Sequence, residues 1–294
     1  MKLAVLSDIH GNWPALEAVA ADIDTWQPDR VLVNGDIVND GPSNDACWHY
    51  VAQQQAGNGW QVVRGNHEEY VAEWLDPAMP REGAAFDLIR LSRWTYEQLN
   101  GDVGGLAGLS ERWSWTAPDG STVVAMHGTL LGNRAGIYPS TSDADAWQRI
   151  VTEAVFITSH THVAHIRTLN GTRVVNTGSV GIPGDGDGRA AYARLSWTRR
   201  QGWQAEIRRV PYDRSTAEQN YFSSGFMAEA GPEAVVSLLQ FRMSRDVRTR
   251  WSATYRQAIL DGSISHADSV ALFLEREEFR PFCADCWGKP PTHN

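Results

Sequence analysis

Short apolar runs that each end in a polar loop constrain this chain more than any other feature. Lys2–Ser7 runs into Asp8-Ile9-His10-Gly11-Asn12, Val31-Leu32-Val33 into Gly35-Asp36, and Gln61-Val62-Val63-Arg64 into Gly65-Asn66-His67. Further on, Thr122–Met126 leads to His127, Val155–Thr158 to Ser159-His160-Thr161-His162, and Arg173–Asn176 to Thr177-Gly178-Ser179. Unbroken apolar runs of this length read as strands buried on both faces. Helical patterns separate the early ones. Trp13–Trp26 places Leu16, Val19, Ala20 and Ile23 at helical spacing, with Asn12 as N-cap and Pro14 in the first turn. Cys47–Gln55 reads as a second helix. Such alternation predicts βαβ units and a largely parallel sheet. Ligands of these sheets gather beyond the carboxyl ends of the strands, where the loop residues fall.

The region Glu68–Leu109 reads as mostly helical, and Ala190–Trp197 with Trp203–Val210 as antiparallel strands joined by Arg199–Gly202. From Pro211 the character changes. Ser215–Glu229, Pro232–Arg242, Ser244–Leu260 and Ser265–Glu278 read as helices, none with a catalytic motif. The expected organisation is a catalytic unit over 1–212 and a helical extension over 213–294. Two roles are open to the extension: covering an edge of the core, or pairing with a second copy as a homodimer. The 294 residues, 42% of them hydrophobic, suffice for one large domain with an appendage.

A net charge of −9 offers no footprint for duplex nucleic acid or an anionic membrane. No apolar run approaches the roughly 18–20 residues that span a bilayer. The N-terminus lacks the longer apolar stretch and cleavage site of a secretory signal. Three cysteines build no disulfide framework, which points to a reducing, cytoplasmic setting. Cys283 and Cys286 form a C-x-x-C pair with only His293 nearby. That falls short of a structural zinc site and reads as two thiols in a surface tail.

A lone His or Asp at a strand end is most often a cap or a surface residue, so the joint placement carries the argument. Asp8, His10, Asp36, Asn66, His127, His160 and His162 comprise two carboxylates, an amide and four imidazoles. Such a donor set suits Mn²⁺, Fe²⁺ or Zn²⁺ better than Ca²⁺, which prefers oxygen alone. A dinuclear site also needs a bridging ligand. A carboxylate can bridge where a neutral imidazole cannot, and Asp36 is the candidate.

The run Asp8-x-His10, Gly35-Asp36, Gly65-Asn66-His67-Glu68, His127 and His160-x-His162 resembles the calcineurin-like metallophosphoesterase superfamily. Within it, the smaller members of the YfcE-like branch are most similar. The resemblance spans about residues 1–210. It implies an α/β fold, a four-layer α-β-β-α sandwich of two facing mixed sheets flanked by helices. It further implies two divalent cations, Mn²⁺ foremost, with Fe, Zn, Ni or Mg as alternatives. Asp8, His10 and His162 would hold one, Asn66, His127 and His160 the other, with Asp36 between them. His67 would be the general acid.

The implied activity is hydrolysis of a phosphomonoester or phosphodiester of a small molecule or nucleotide by metal-activated hydroxide. An imidazole titrating near neutral pH suits the protonation of a leaving oxygen. Arg64, two residues before Asn66, offers a guanidinium to the phosphate or else a structural contact. Asn12 would add a hydrogen bond to substrate or cap its helix, the cap being favoured.

Departures from the family pattern also inform. Ser159 stands where a Gly is usual, with little effect expected. Glu68 gives the Gly-Asn-His-Glu form found in phosphoprotein phosphatases and dinucleoside-tetraphosphate hydrolases, which makes those activities the alternatives. In those relatives an Asp orients the catalytic His and an Arg binds phosphate. Here Asn39 and Asp40 occupy these places, which argues against both. A non-catalytic interaction module on this fold is the remaining alternative. A retromer subunit of that kind lacks the catalytic His, whereas His67 is present. His49, His165, His266 and His293 read as surface or core residues, and Asp185 with Asp187 as a flexible acidic turn.

Overall fold

The computed structural model describes residues 1–283. Its strands are β1 (Lys2–Leu6), β2 (Arg30–Asn34), β3 (Gln61–Val63), β4 (Arg112–Thr116), β5 (Thr122–Met126), β6 (Val155–Thr158), β7 (His165–Leu169), β8 (Thr172–Asn176), β9 (Ala190–Thr198) and β10 (Gly202–Val210). They form two five-stranded sheets, ordered β10-β9-β1-β2-β3 and β4-β5-β6-β8-β7. Each sheet has a parallel centre, β1-β2-β3 in one and β5-β6-β8 in the other. Antiparallel strands complete both: β9 and β10 in the first, β4 and β7 in the second. The expected parallel sheet is therefore two mixed sheets.

The apolar runs explain the layering, because successive side chains of a strand point to opposite faces. Leu3, Val5, Leu32 and Val63 meet Val123, Ala125, Val155, Ile157 and Val175 in one apolar layer between the sheets. Ala4, Leu6, Val31 and Val33 face the other way, onto Leu16, Val19 and Ile23. Those three lie on helix α1 (Trp13–Trp26), whose first turn Asn12 caps by accepting from the Ala15 N–H at 3.2 Å. On the far side, Val124, Phe156 and Val174 pack on Ile137, Ala146 and Ile150. The result is the expected four-layer sandwich. Two further helices, α2 (Asn44–Asn58) and α3 (Asn66–Ala72), follow β2 and β3 directly.

Beyond Val210 the described chain is helical. The expected helix Ser215–Glu229 breaks into Arg214–Ser223 and Phe226–Glu229. Gly225 sits between them at φ 87°, a left-handed conformation that glycine adopts without penalty. The next helices run Glu233–Met243, Arg248–Leu260 and His266–Leu274. Their apolar faces share one cluster, including Val235, Leu238, Trp251 and Phe273, with Leu88, Leu91 and Trp94. Cys286 and His293 lie outside the described residues. No helix among the described residues is long and apolar enough to cross a membrane.

Ile157, fully buried between the sheets, tests this layering. Ile157→Ala is expected to cost about 2–5 kcal/mol in denaturant unfolding. Leu131→Ala, at a residue 66% exposed, should stay within about 0.5 kcal/mol of wild type.

Candidate metal centre

The loops after β1, β2, β3, β5 and β6 converge at one edge of the sandwich. Asp8 and His10 follow β1, Asp36 follows β2, Asn66 and His67 open α3, His127 follows β5, and His160 and His162 follow β6. Their donor atoms fall into three groups: Asp8, His10, Asp36 and His162, then Asp36, His127 and His160, which share the Asp36 carboxylate, and His10 and His67 with Asp40. The Asp36 carboxylate Oδ2 lies 3.1 Å from His127 Nε2 and 3.7 Å from His10 Nε2. Asn66 Oδ1 adds to the second group, 3.1 Å from His127 Nε2 and 2.9 Å from His160 Nδ1.

Backbone carbonyls set the imidazole tautomers. Nδ1 of His10 donates to Asn39 O, Nδ1 of His127 to Asn34 O and Nδ1 of His162 to Ile182 O, at 2.8–3.1 Å. Each ring then turns an Nε2 lone pair inward, as a metal-ligating histidine must. His10 Nε2 and His162 Nε2 stand only 3.1 Å apart. Two lone pairs at that distance repel unless a cation or a proton lies beside them. Asp8 Oδ1 and Asp36 Oδ2 are buried and receive no well-formed hydrogen bond. Their other oxygens are held, by the Ser7 hydroxyl and by the His67 N–H. Buried acceptors left bare at one point, with imidazole nitrogens around them, fit divalent cations.

Protons take up that role when cations do not. Burial alone would lower the His127 pKa, but the Asp36 carboxylate, with Asp8 beyond, pushes it up to about 10. His162 is likewise raised against burial by Asp8. Burial and the neighbouring His67 and His162 hold His10 down at about 3, and burial with His127 holds His160 at about 4. Asp36 stays well below the usual carboxylate range, because the imidazoles, His127 first, outweigh its burial.

The loop carrying Asp36 is tied down by Glu68, whose role the sequence did not reveal. The buried Glu68 carboxylate accepts from the N–H groups of Gly65, Asp36 and Ile37 at 2.7–2.8 Å and of Val38 at 3.3 Å. It thereby joins the start of α3 to the loop after β2. Gly65 must be glycine there, since a Cβ would lie 2.1 Å from Asp36 Oδ1. Asp8, His10, Asp36, Asn39, Asp40, His160 and His162 all have φ between 49° and 70°. This left-handed conformation costs a non-glycine residue about 1 kcal/mol or more and clusters at functional sites.

The hydroxyl of Ser159 also departs from expectation. It is fully buried, accepts from Asn34 Nδ2 at 2.8 Å and shares a hydrogen bond with Thr177 Oγ1, which reaches Ser7 in turn. The chain of hydroxyls links the two sheets beneath the centre, a role that glycine cannot fill.

His67 lies outside the two groups that share Asp36 and stands with His10 and Asp40 in the third. Its Nδ1 accepts from Asn39 Nδ2 at 3.0 Å. The Thr95 hydroxyl donates to Asn39 Oδ1 at 3.2 Å and so orients that amide. The ring proton is therefore on Nε2, 4.0 Å from Asp36 Oδ2 and 3.7 Å from Asp40 Oδ2. Burial lowers the His67 pKa, partly offset by Asp40 and Asp36.

The two candidate substrate contacts hold protein groups, Arg64 in its structural alternative and Asn12 in the favoured cap. Arg64 donates to Ala107 O at 3.0 Å and to Glu111 Oε1 at 2.5 Å, which ties β3 to the segment before β4. Asn12 donates to Gly181 O at 2.8 Å while capping α1. Asp40, in contrast, is ion-paired with Arg248 from the C-terminal helices. Asp185 pairs with Arg209 and Asp187 with Arg189, so the acidic turn is anchored by arginines.

Fold and site together define a metal-dependent phosphoesterase architecture. The chain belongs to the calcineurin-like phosphoesterase superfamily, whose domain model matches residues 1–200. It is similar to a metallophosphoesterase from Sphaerobacter thermophilus, at 23% identity over 83% of this chain and 100% of that one, with a TM-score of 0.63. A hypothetical protein from Pyrococcus horikoshii aligns at 18% identity over 79% of this chain and 97% of that one, with a TM-score of 0.65. Yfce, a phosphoesterase from E. coli, aligns at 20% identity over 72% of this chain and 100% of that one, with a TM-score of 0.42. No curated protein matches the chain.

Two predictions follow from this geometry. Glu68→Gln turns an NH₂ group toward backbone N–H donors, and is expected to cost about 1–3 kcal/mol in unfolding free energy together with a loss of bound metal by elemental analysis. A cation binding beside Asp36 must displace the His127 proton. Metal binding near neutral pH should therefore release protons, and affinity should rise with pH. Calorimetry in buffers of different ionisation enthalpy reads that release directly; an enthalpy independent of buffer would contradict it.

Proposed function

We propose that this chain is a two-metal phosphoesterase that hydrolyses a phosphomonoester or phosphodiester of a small molecule or nucleotide. The observation that carries the reading is Asp36 Oδ2. It is a buried carboxylate oxygen without a well-formed hydrogen bond, on the residue common to two of the three donor groups. In this reading Asp8, His10 and His162 hold one cation and Asn66, His127 and His160 the other, with Asp36 between them. Mn²⁺ is the first candidate, with Fe, Zn, Ni or Mg as alternatives. Bound there, such cations supply Lewis acidity toward phosphoryl oxygens and acidify water. Residues 1–212 form the catalytic unit, in a reducing, cytoplasmic setting.

The protein's own groups do the rest. Glu68 and the Ser7–Thr177–Ser159 chain hold the carboxylates in place, so little reorganisation accompanies the reaction. His67 is the general acid of this reading: its imidazolium form gives the Nε2 proton, on the nitrogen near Asp36 and Asp40, to the leaving oxygen and is left as the neutral ring. Asn39 makes this acid unlike one backed by a carboxylate. Its amide holds the neutral ring through Nδ1 and serves the imidazolium when turned so that Oδ1 accepts from Nδ1–H, while Asp40, on the other side, favours the charged ring.

The test is hydrolysis of p-nitrophenyl phosphate and bis(p-nitrophenyl) phosphate by the Mn²⁺-loaded protein. His67→Ala is expected to keep its metal and lose about a hundredfold to ten-thousandfold in kcat. Asp36→Asn is expected to lose metal and activity together. Absence of metal-stimulated hydrolysis of both esters by the wild type would sink the proposal.

A further inference from the structure

The metal centre opens into a cavity of about 730 Å³ with walls from two distant parts of the chain. Asn66, His67 and His160 form its inner end. The helix Arg248–Leu260 contributes Arg248 and Arg256 to its lining, and Leu88 and Leu91 give it apolar surface. Arg248 reaches Asp40 across 208 positions of sequence. Its guanidinium is held at two nitrogens: Nη1 donates to Asp40 Oδ2, and Nε donates to Glu233 Oε1 at 2.5 Å. Nη2 has no hydrogen-bond partner among the described residues. Asp40 and Glu233 are both buried, whereas the Arg248 side chain keeps 25% exposure.

We infer that Arg248 binds the phosphoryl oxygens of the substrate, so that the C-terminal helices complete the active site. The inference rests on the phosphoesterase reading above. A guanidinium clamped at two nitrogens by two carboxylates is preorganised and leaves the Nη2 donors of its fork fixed in place for phosphate oxygens. Charge points the same way. Asp40 Oδ2 is 3.7 Å from His67 Nε2, and a bare carboxylate there would repel an incoming phosphate. Arg248 offsets the Asp40 charge beside His67, with Glu233 on its other side leaving the triad one negative charge in all, and it adds donors in the same place. The substrate is then a phosphate ester whose organic group extends from the metals along Leu88 and Leu91, beneath the helix that bears Arg248.

Inorganic phosphate, a product of monoester hydrolysis, is the probe. Its dissociation constant is measured by calorimetry on the Mn²⁺-loaded full chain, beside kcat and KM for p-nitrophenyl phosphate. R248K keeps a charge between Asp40 and Glu233 but loses the fork. It should retain metal while weakening phosphate binding and raising KM by about tenfold. R248A should weaken both by about a hundredfold, and millimolar guanidinium ion should restore part of its activity without stimulating wild type. If Arg248 only pins the helices to the core, both variants will melt earlier yet bind phosphate within about twofold of wild type, without rescue, and the inference falls. Should R248A fail to fold, R248K decides alone. A wild type that hydrolyses neither ester would refute the phosphoesterase reading, while phosphate binding and its loss in R248K would still settle the role of Arg248.

Discussion

Asp8 and Asp36 are buried carboxylates whose inward oxygens lack a well-formed hydrogen bond, and much of this structure is arranged around that fact. An unpaired buried charge is too costly to keep, so it must be matched by a cation or neutralised. Here the match comes from imidazoles whose outer nitrogens are committed to backbone carbonyls. Without a cation His127, pushed up to about 10 by Asp36, carries a compensating proton, and Asp8 shifts His162 in the same direction. A divalent cation does the same task with more charge and more ligands. The left-handed conformations of the loops, the glycine contact at Gly65 and the buried Glu68 are all devices that bring those oxygens to one point.

The second theme is the seam between the sandwich and the C-terminal helices. Apolar packing of Leu88, Leu91 and Trp94 against Val235, Leu238 and Trp251 supplies the adhesion. The polar bridge Asp40–Arg248–Glu233 lies beside the metal centre and the cavity. Breaking a buried ion pair by removing one partner costs several kcal/mol, although the pair itself adds little net stability. Such a bridge specifies where the helices sit more than how tightly. Placing it next to His67 couples the position of the helices to the chemistry.

Much of this was legible in the sequence. The strands at the centre of each sheet are continuous apolar runs because both their faces are buried, and the residues at their carboxyl ends were legible for the same reason. The edge strands β4 and β7 were not. Their residues alternate between exposed and half-buried, and Arg112–Thr116 or His165–Leu169 carries too little apolar signal to stand out from a loop. Gly225 marked a helix break only to a reader who weighed a single glycine against a long periodic stretch. Arg64 was left open between a phosphate and a structural contact because proximity in sequence to Asn66 says nothing of direction: after β3 its guanidinium turns to Ala107 and Glu111. Glu68 and Ser159 were visible as residues, but their roles depend on which N–H groups and hydroxyls the fold brings to them. Arg248 had no local signature at all, since an arginine at the start of a helix is ordinary until tertiary packing sets it on Asp40.

The central claim is that two cations share Asp36, and electron paramagnetic resonance of the Mn²⁺-saturated protein tests it most directly. The account predicts the spectrum of an exchange-coupled pair, which Asp36→Asn should abolish. A spectrum showing only the hyperfine pattern of isolated ions, at saturating Mn²⁺ and with Asp36 intact, would contradict it.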